Sequence, residues 1–377
     1  MRPELGELSA LLRPELAELE AYAPHVPDGI EVRLDANEAP APPAEVAEVV
    51  RAALAGVPLA AYPDPNAAAL KAAIAARTGA TVEELVVGCG SDEVIALLMT
   101  AFARTRDRLP QPVVVTPTPT FVMYAITGRG HGWKVVQVPL DAAWDLDARA
   151  MGRAVEMMRP SVVYVASPNN PTGNRMTDAR VETLLEAAKD ALVVVDEAYV
   201  DYASGSVRAW RARYPQLAIL RTLSKVGLAA LRVGWIELDA ELAREVDKVR
   251  QPFNLSATSQ AGATAALSSA WDAIGRHTAE VRAERARVAE AVARLEGFEV
   301  TPSEANFLWV KTPAPAGDVW SALVRRGVLV RSFHARGGRL ADRLRITIGT
   351  RGSARAARSS EARGSTPHRA SARCAGP

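Results

Sequence analysis

The chain has 377 residues, a net charge of +2 and a hydrophobic fraction of 49%, which are ordinary values for a globular protein. No apolar run is long enough to span a membrane, the N-terminus lacks a signal-peptide core, and the charge distribution gives no indication of nucleic-acid binding. The two cysteines, Cys89 and Cys374, exclude a disulfide framework and a Cys-rich metal site, so we expect a cytoplasmic protein without a metal centre.

From residue 84 to residue 238, short apolar runs alternate with helical patterns such as DEVIALLMTAFA (92–103) and DARVETLLEAAKD (178–190). The apolar runs are rich in β-branched residues and lack polar alternation, as expected for strands buried on both faces. This alternation predicts an α/β domain with a mostly parallel sheet flanked by helices. The predicted strands are ELVVG (84–88), PVVVTP (112–117), KVVQVPL (134–140), SVVYVASP (161–168), ALVVVDEAY (191–199), LAILRTLS (217–224) and VGWIEL (233–238).

The pattern changes after residue 240. Ala-rich, charged helical segments continue to about residue 295, and strand candidates follow at residues 306–311, 328–331 and 343–349. This order predicts a second, smaller α+β domain. The predicted parts of the chain are an N-terminal arm at 1–45, a large domain at 46–255, a small C-terminal domain at 256–350 and an Arg- and Ser-rich, disordered tail at 351–377.

Polar residues follow several of the predicted strands. Ligands of parallel α/β sheets bind beyond the carboxyl ends of the strands, so these loops are the places to search for chemistry. The stretch GCGSDE (88–93) begins a helix whose free N–H groups suit an anion, and PNNPTGN (168–174) offers two asparagine amides. Taken alone, each stretch is equally typical of a structural turn.

An acid and a lysine follow two further strands. Asp196 ends an apolar run, where a carboxylate requires a cationic or hydrogen-bonding partner, and desolvation of Lys225 would leave a neutral amine nucleophile. Alone, Asp196 could be a helix N-cap and Lys225 a surface lysine. Together with the two preceding loops they supply what pyridoxal phosphate (PLP) requires: an amine for its aldehyde, a carboxylate for its ring nitrogen and donors for its phosphate.

The chain resembles the fold-type I PLP-dependent aminotransferases of class II, and within them the histidinol-phosphate aminotransferases, from about residue 21 to residue 350. This resemblance implies transamination of L-histidinol phosphate with 2-oxoglutarate, giving imidazole-acetol phosphate and L-glutamate in histidine biosynthesis. The matching motifs include LDANEAP (34–40), YPDP (62–65), GCGSDEVI (88–95), SPNNPTG (167–173), VVVDEAYVDY (193–202), RTLSKVGLAALRVG (221–234), ANFLWV (305–310), VLVRSF (328–333) and LRITIGT (344–350).

The resemblance also implies roles for individual residues. Lys225 would bind the cofactor covalently and carry the proton, Asp196 would pair with the pyridine nitrogen, and Tyr199 would complete the catalytic set. Tyr62 would reach the phosphate bound in the other subunit of a homodimer. The other implied cofactor contacts are Ser91, Asp92, Phe121, Asn170, Thr222, Ser224 and Arg232.

For the substrate, the resemblance implies Asn37, Arg331 and Arg345. Arg345 would hold the carboxylate of glutamate or 2-oxoglutarate, and Arg331 would meet a side-chain carboxylate or the phosphate of histidinol phosphate. His25 stands where relatives usually have a tyrosine, a substitution for which Tyr22 could compensate.

Other functions stay open at this point. A threonine-phosphate decarboxylase and an aromatic or broad-range aminotransferase share nearly all of the PLP motifs. A non-catalytic PLP-binding module is disfavoured, because the N-terminal segment, at about 30 residues, is too short to hold a helix-turn-helix domain. A degenerate protein with an intact cofactor site is a further alternative, since the tail replaces the last helix of the relatives.

Overall fold

The computed structural model describes residues 6–19, 26–106 and 109–349 of the chain. Within these residues, twelve strands form one sheet of seven strands and one of five. The strands are β1 Val32–Leu34, β2 Leu85–Cys89, β3 Val113–Thr118, β4 Lys134–Pro139, β5 Val162–Ala166, β6 Leu192–Asp196, β7 Leu217–Thr222, β8 Val233–Glu237, β9 Glu299–Thr301, β10 Phe307–Lys311, β11 Val328–Ser332 and β12 Arg343–Thr347. The α-helices are α1 Gly6–Ser9, α2 Ala44–Ala55, α3 Ala68–Thr78, α4 Gly90–Ala101, α5 Met123–Gly130, α6 Ala148–Met158, α7 Asp178–Ala187, α8 Ala240–Asp247, α9 Ala257–Ser269, α10 Trp271–Ala293 and α11 Ala316–Val324.

The seven-stranded sheet has the order β2-β8-β7-β6-β5-β3-β4, and β8 is the strand that runs antiparallel to its neighbours. Its strands are the seven apolar runs that the sequence predicts. Alternate residues of β5 enter two cores, with Val163 packing near helices α6 and α7 and Tyr164 near α4 and α5. Both faces are therefore covered, which explains the continuous apolar runs and confirms the predicted α/β fold.

The five-stranded sheet has the order β1-β11-β12-β10-β9. Strand β1 pairs in parallel with β11, whereas the other neighbours are antiparallel. Val281 of α10 packs against one part of this sheet, and Ala316 of α11 packs against another. The sequence predicts β10, β11 and β12, but it does not predict the three-residue strands β1 and β9.

Two segments make contacts across the predicted domain boundaries. Strand β1 falls in the predicted arm at 1–45, yet it belongs to the five-stranded sheet. Helix α9 falls in the predicted small domain at 256–350, yet its Ala263 shares a core with Val46 of α2. The division into domains stays a prediction, and the predicted tail at 351–377 lies outside the described residues.

The centre of the large sheet brings three loops together at one edge. Strands β5, β6 and β7 are adjacent and parallel, and Asp196 at the end of β6 pairs with Ala166 on one side and Leu220 on the other. The loops that follow these strands contain the Asn170 motif, Asp196 with Tyr199, and Lys225. Because carboxyl ends of parallel strands meet at one edge, these groups converge although they are far apart in sequence.

Candidate active site

A single pocket at this edge collects most of the residues predicted to bind a cofactor. It also contains Tyr124, Ala166, Pro168 and Ala198, which the sequence did not single out. Of the predicted cofactor contacts, Tyr62 is the one that does not line it. The predicted residues that do are Ser91, Asp92, Phe121, Asn170, Asp196, Tyr199, Thr222, Ser224, Lys225 and Arg232.

Asp196 is a buried acid, with a relative exposure of 4%. Tyr124 Oη donates a 2.5 Å hydrogen bond to its Oδ2, and the Ala198 N–H donates a 2.9 Å bond to its Oδ1. Burial raises the pKa of Asp196 from 3.8 to about 6, although both hydrogen bonds favour the charged form. A cation in the pocket would offset this burial, as the protonated nitrogen of a pyridine ring does.

Tyr124 holds Asp196 from helix α5, at the back of the pocket. Its ring stacks on Tyr164 with 4.6 Å between centroids and meets Phe121 edge-on at 5.5 Å. Burial, followed by the charge of Asp196, raises the pKa of Tyr124 well above its ordinary value, so its hydroxyl stays a donor. Tyr124 follows Phe121 by three residues, but this spacing alone does not show that its hydroxyl reaches β6.

Lys225 lies in a 3₁₀ turn, Leu223–Lys225, that directly follows β7. Its Nζ lies 5.7 Å from the centroid of the Tyr199 ring, and Tyr202 Oη donates a 2.6 Å hydrogen bond to its carbonyl oxygen. Tyr199 is itself buried, and its hydroxyl accepts a 2.9 Å hydrogen bond from Asn37 Nδ2. The structure thus brings the predicted amine beside the predicted tyrosine and holds the backbone of Lys225 and the hydroxyl of Tyr199.

Donors for an anion converge at the start of helix α4. The hydroxyl groups of Thr222 and Ser224 lie 3.0 Å apart, and Arg232 Nη1 lies 3.5 Å from Ser224 Oγ. A Cβ at Gly90, which has φ +78°, would lie 2.5 Å from Arg232 Nη2, so a glycine is needed for this approach. Hydroxyl groups, a guanidinium and the N–H groups of a helix start form a suitable set for a phosphate dianion.

The two asparagines of the 168–174 loop have different surroundings. Asn169 is fully buried, and its Oδ1 accepts a 2.7 Å hydrogen bond from Thr120 while its Nδ2 donates to Thr172 Oγ1 at 2.8 Å. Asn170 lines the pocket, and its Oδ1 accepts a 2.6 Å hydrogen bond from Arg345 Nη1. Asn169 therefore builds the loop, whereas Asn170 faces the pocket, and its contact with a cofactor stays a prediction.

The predicted substrate residues lie in or next to the five-stranded sheet, and none of them lines the pocket. Arg345 of β12 is 9% exposed, and besides Asn170 it donates to the carbonyl oxygen of Asp35. Arg331 of β11 is its direct cross-strand neighbour. The Asn37 N–H donates to Thr347 Oγ1 at 3.0 Å. Asn37 and Arg345 thus contact pocket residues directly, whereas Arg331 is linked through the strand pairing.

Tyr62 lies away from this pocket. Its side chain is 82% exposed and stacks on Phe253 with 4.6 Å between ring centroids. It lines a separate groove together with Pro58 and Gln260. Tyr22 and His25, the predicted contacts of the N-terminal arm, lie outside the described residues.

Known proteins are similar to this one over most of the chain. A family model described as aminotransferase class I and II matches residues 30–359. The histidinol-phosphate aminotransferase of Chromobacterium violaceum is 40% identical over 343 residues, covering 90% of this chain and 94% of the relative. That of Aquifex aeolicus is 38% identical over 335 residues, covering 89% and 92%.

Solved structures show a similar likeness. The crystal structure of histidinol-phosphate aminotransferase from Sinorhizobium meliloti, in complex with pyridoxal-5'-phosphate, aligns with a TM-score of 0.78 and 25% identity. The alignment covers 93% of this chain and 96% of that one.

Proposed function

The chain belongs to the class I and II aminotransferases, and within them to the histidinol-phosphate aminotransferases, and from this we propose that it transfers the amino group of L-histidinol phosphate to 2-oxoglutarate. The products are imidazole-acetol phosphate and L-glutamate, and the reaction belongs to histidine biosynthesis. The membership confirms the predicted fold-type I architecture, the aminotransferase activity and the PLP cofactor. The observation that carries the proposal is the single pocket that combines Lys225, a buried Asp196 and an anion cradle.

The residues of the pocket fit PLP. Asp196 offers a buried carboxylate for the ring nitrogen, and Asn170 and Tyr199 offer polar groups for the phenolic oxygen. Phe121 offers an aromatic surface for the ring. When bound, PLP supplies an electron sink for the negative charge that develops at the substrate's α-carbon. The phosphate would be held by the backbone N–H groups of Ser91 and Asp92 and by the side chains of Thr222, Ser224 and Arg232.

Three side chains of the pocket would have separate roles in the reaction. Lys225 Nζ would hold the cofactor through its aldehyde carbon and, when free, would move the proton at the substrate's α-carbon. Tyr199 stays oriented because Asn37 donates to its hydroxyl. Asp196 keeps its negative charge beside a cation, and Tyr124 supports that charged form through its hydrogen bond.

The substrate would be held from the five-stranded sheet. The planar guanidinium of Arg345 suits the carboxylate of glutamate or 2-oxoglutarate, and its contact with Asn170 directs it toward the pocket. Arg331, directly opposite on β11, would take the second anionic group, namely a side-chain carboxylate or the phosphate of histidinol phosphate.

We place the working enzyme in the cytoplasm as a homodimer. No described helix is both long and apolar enough to cross a membrane. The exposed, stacked rings of Tyr62 and Phe253 form an apolar surface that a second copy would cover. In that dimer, Tyr62 would reach the phosphate bound by the other subunit.

A half-reaction tests this function. In separate samples, the PLP-loaded protein is mixed with L-histidinol phosphate, with threonine phosphate or with other amino acids in the absence of a keto acid, while the cofactor's absorbance and the release of carbon dioxide are followed. L-Histidinol phosphate has no carboxyl group to lose, so we expect it to convert the cofactor stoichiometrically to its amine form, and we expect no carbon dioxide from threonine phosphate. Release of carbon dioxide from threonine phosphate would instead support a decarboxylase, and conversion only by other amino acids would support a different aminotransferase.

Lys225→Ala is the matched control for this assay. Because it removes the amine that binds the aldehyde and moves the proton, it should abolish turnover while leaving the fold intact. Turnover that persists in this variant would contradict the role proposed for Lys225.

A further inference from the structure

A buried pair of opposite charges lies beside the pocket without lining it. Glu197, which follows Asp196, is 2% exposed. Arg221, which precedes Thr222, donates to Glu197 Oε2 from Nε at 3.0 Å and from Nη2 at 2.6 Å. A single carboxylate oxygen therefore accepts two hydrogen bonds from one guanidinium.

The pair connects two neighbouring strand ends that both carry pocket residues. Successive side chains of a strand point to opposite faces, so Asp196 and Glu197 diverge, as do Thr222 and Arg221. The backbones of the two strands are also joined beside the ion pair, because the Glu197 N–H donates to the carbonyl oxygen of Leu220 at 2.8 Å. The pair thus holds β6 and β7 together on the side opposite Asp196 and Thr222.

Further contacts on both sides immobilise the pair. The Glu197 carboxylate also accepts from Ser206 Oγ at 2.8 Å and from the Val207 N–H at 2.9 Å, which ties down the loop after β6. Arg221 Nη1 lies 3.9 Å from Glu237 of β8, which is fully buried and accepts from Arg208 Nε at 2.5 Å. Three adjacent strands are connected through alternating charges.

Such a network is a poor source of stability. The desolvation of two charges offsets most of their attraction, and replacing a buried pair by uncharged groups of similar volume often leaves stability unchanged. Its hydrogen bonds do have a fixed geometry, since a guanidinium is planar and its donors are rigidly spaced. The structural effect of the pair is therefore on the relative placement of the two strand ends.

We propose that Glu197 and Arg221 are positioning residues, which set the spacing between the Asp196 carboxylate and the Thr222–Ser224 hydroxyl groups and thereby the affinity for PLP. This inference rests on the cofactor contacts proposed above for Asp196, Thr222 and Ser224. It assigns to Glu197 and Arg221 no contact with the cofactor or the substrate.

The test compares two neutralised pairs. Glu197→Gln with Arg221→Met removes both charges beside the pocket. Glu84→Gln with Arg211→Met removes a less buried 2.9 Å pair, and neither of its residues is next to a pocket residue in the chain. The dissociation constant of PLP is measured by titrating each apoprotein, together with its melting temperature and the circular dichroism of the bound cofactor. We expect about tenfold weaker PLP binding and altered dichroism in the first variant, as supporting residues around a bound group typically produce, and no change in the control.

The outcomes of this test distinguish a failure of the positioning proposal from a failure of the proposed cofactor contacts. PLP affinity within twofold of the wild type in the first variant would overturn the proposal. If that variant does not fold, Arg221→Lys decides, since it keeps the charge but cannot form both hydrogen bonds: weaker PLP binding supports positioning and unchanged binding refutes it. Histidinol phosphate is absent throughout, so a wrong substrate assignment does not affect the result. Unchanged PLP affinity in Asp196→Asn would show instead that the proposed cofactor contacts are wrong.

Discussion

Tyr124 donates a 2.5 Å hydrogen bond to the buried carboxylate of Asp196 from a helix 72 positions earlier in the chain. This bond lowers the pKa of Asp196, whereas burial has the larger and opposite effect and raises the pKa to about 6. The Tyr124 hydrogen bond therefore favours the ionised form of Asp196, the acid expected to face the cofactor, before any cofactor binds. The hydroxyl of Tyr124 is as much a part of the site as the acid that it supports.

Tyr124→Phe should weaken PLP binding. The variant removes a hydrogen bond of about 1.5–3 kcal/mol to the charged carboxylate and so raises the pKa of Asp196. At pH 7, PLP binding must then ionise part of the carboxyl population, so we expect up to about tenfold lower affinity. The pKa of Asp196 in the apoprotein should rise, as followed by NMR of the carboxyl carbon. Tyr164→Phe is the matched control, because the equally buried Tyr164 hydroxyl has no hydrogen-bond partner among the described residues. Equal effects of the two substitutions would contradict a role for the Tyr124 bond.

Asp196→Asn should stabilise the apoprotein at neutral pH. The pKa of Asp196 is raised from an ordinary value of 3.8 to about 6 in the folded protein. The wild type therefore loses stability as the pH rises from about 4 to about 6, and its stability stays at this lower value at higher pH. An uncharged asparagine avoids this loss, which amounts to about 3 kcal/mol for a shift of about two pH units. Urea denaturation at pH 7.5 and pH 4 measures the difference, which should be large at the first pH and small at the second. A variant less stable than the wild type at pH 7.5 would count against a costly buried charge.

Arg345→Lys and Arg331→Lys should affect different substrates. A lysine cannot reproduce the planar fork of Arg345, which donates to both Asn170 and Asp35, so KM for 2-oxoglutarate should rise at least about tenfold. Arg331→Lys should raise KM mainly for histidinol phosphate. Steady-state kinetics with each substrate varied in turn distinguish the two, with the exposed Arg325→Lys as the control. The same change in both KM values for both variants would contradict the assigned division.

Tyr62→Ala should be rescued by mixing with Lys225→Ala. If Tyr62 acts in the other subunit's site, each mixed dimer has one intact site, and random mixing restores about a quarter of wild-type activity. If Tyr62 acts within its own chain, the mixture stays as inactive as its components. Refolding the two variants together and assaying the mixture at constant total protein gives the answer. A monomeric wild type in sedimentation analysis would contradict the proposed dimer at once.

The large sheet could be predicted because its strands are buried on both faces. The run SVVYVASP predicts a strand at 161–168, and β5 occupies Val162–Ala166, since a continuous β-branched run of this length suits a central parallel strand. Strand β1 could not be predicted in the same way. It has three residues, and its partner Val328 lies almost 300 positions away, so no local pattern marks it.

Only part of the candidate site could be predicted from the sequence. Family motifs indicated Lys225, Asp196 and the residues around them, and the structure brings these into one pocket. The hydrogen bond from Tyr124 and the pairing of Glu197 with Arg221 depend on which face of an element a side chain occupies and on how adjacent strands are aligned. Those relations are set by three-dimensional packing and leave no spacing rule in the sequence.

The contact between Asn37 and Thr347, 310 positions apart, has a consequence for the order of events during synthesis. At a ribosomal rate of about 5–20 residues per second, Asn37 leaves the ribosome many seconds before its partner is translated. During this interval β1 also lacks β11, while the strands of the large sheet are already available to pair. A nascent chain can therefore assemble the large sheet, which carries the proposed cofactor site, early in synthesis. The five-stranded sheet, which carries Arg345, is completed last, so the substrate site forms only as translation nears its end.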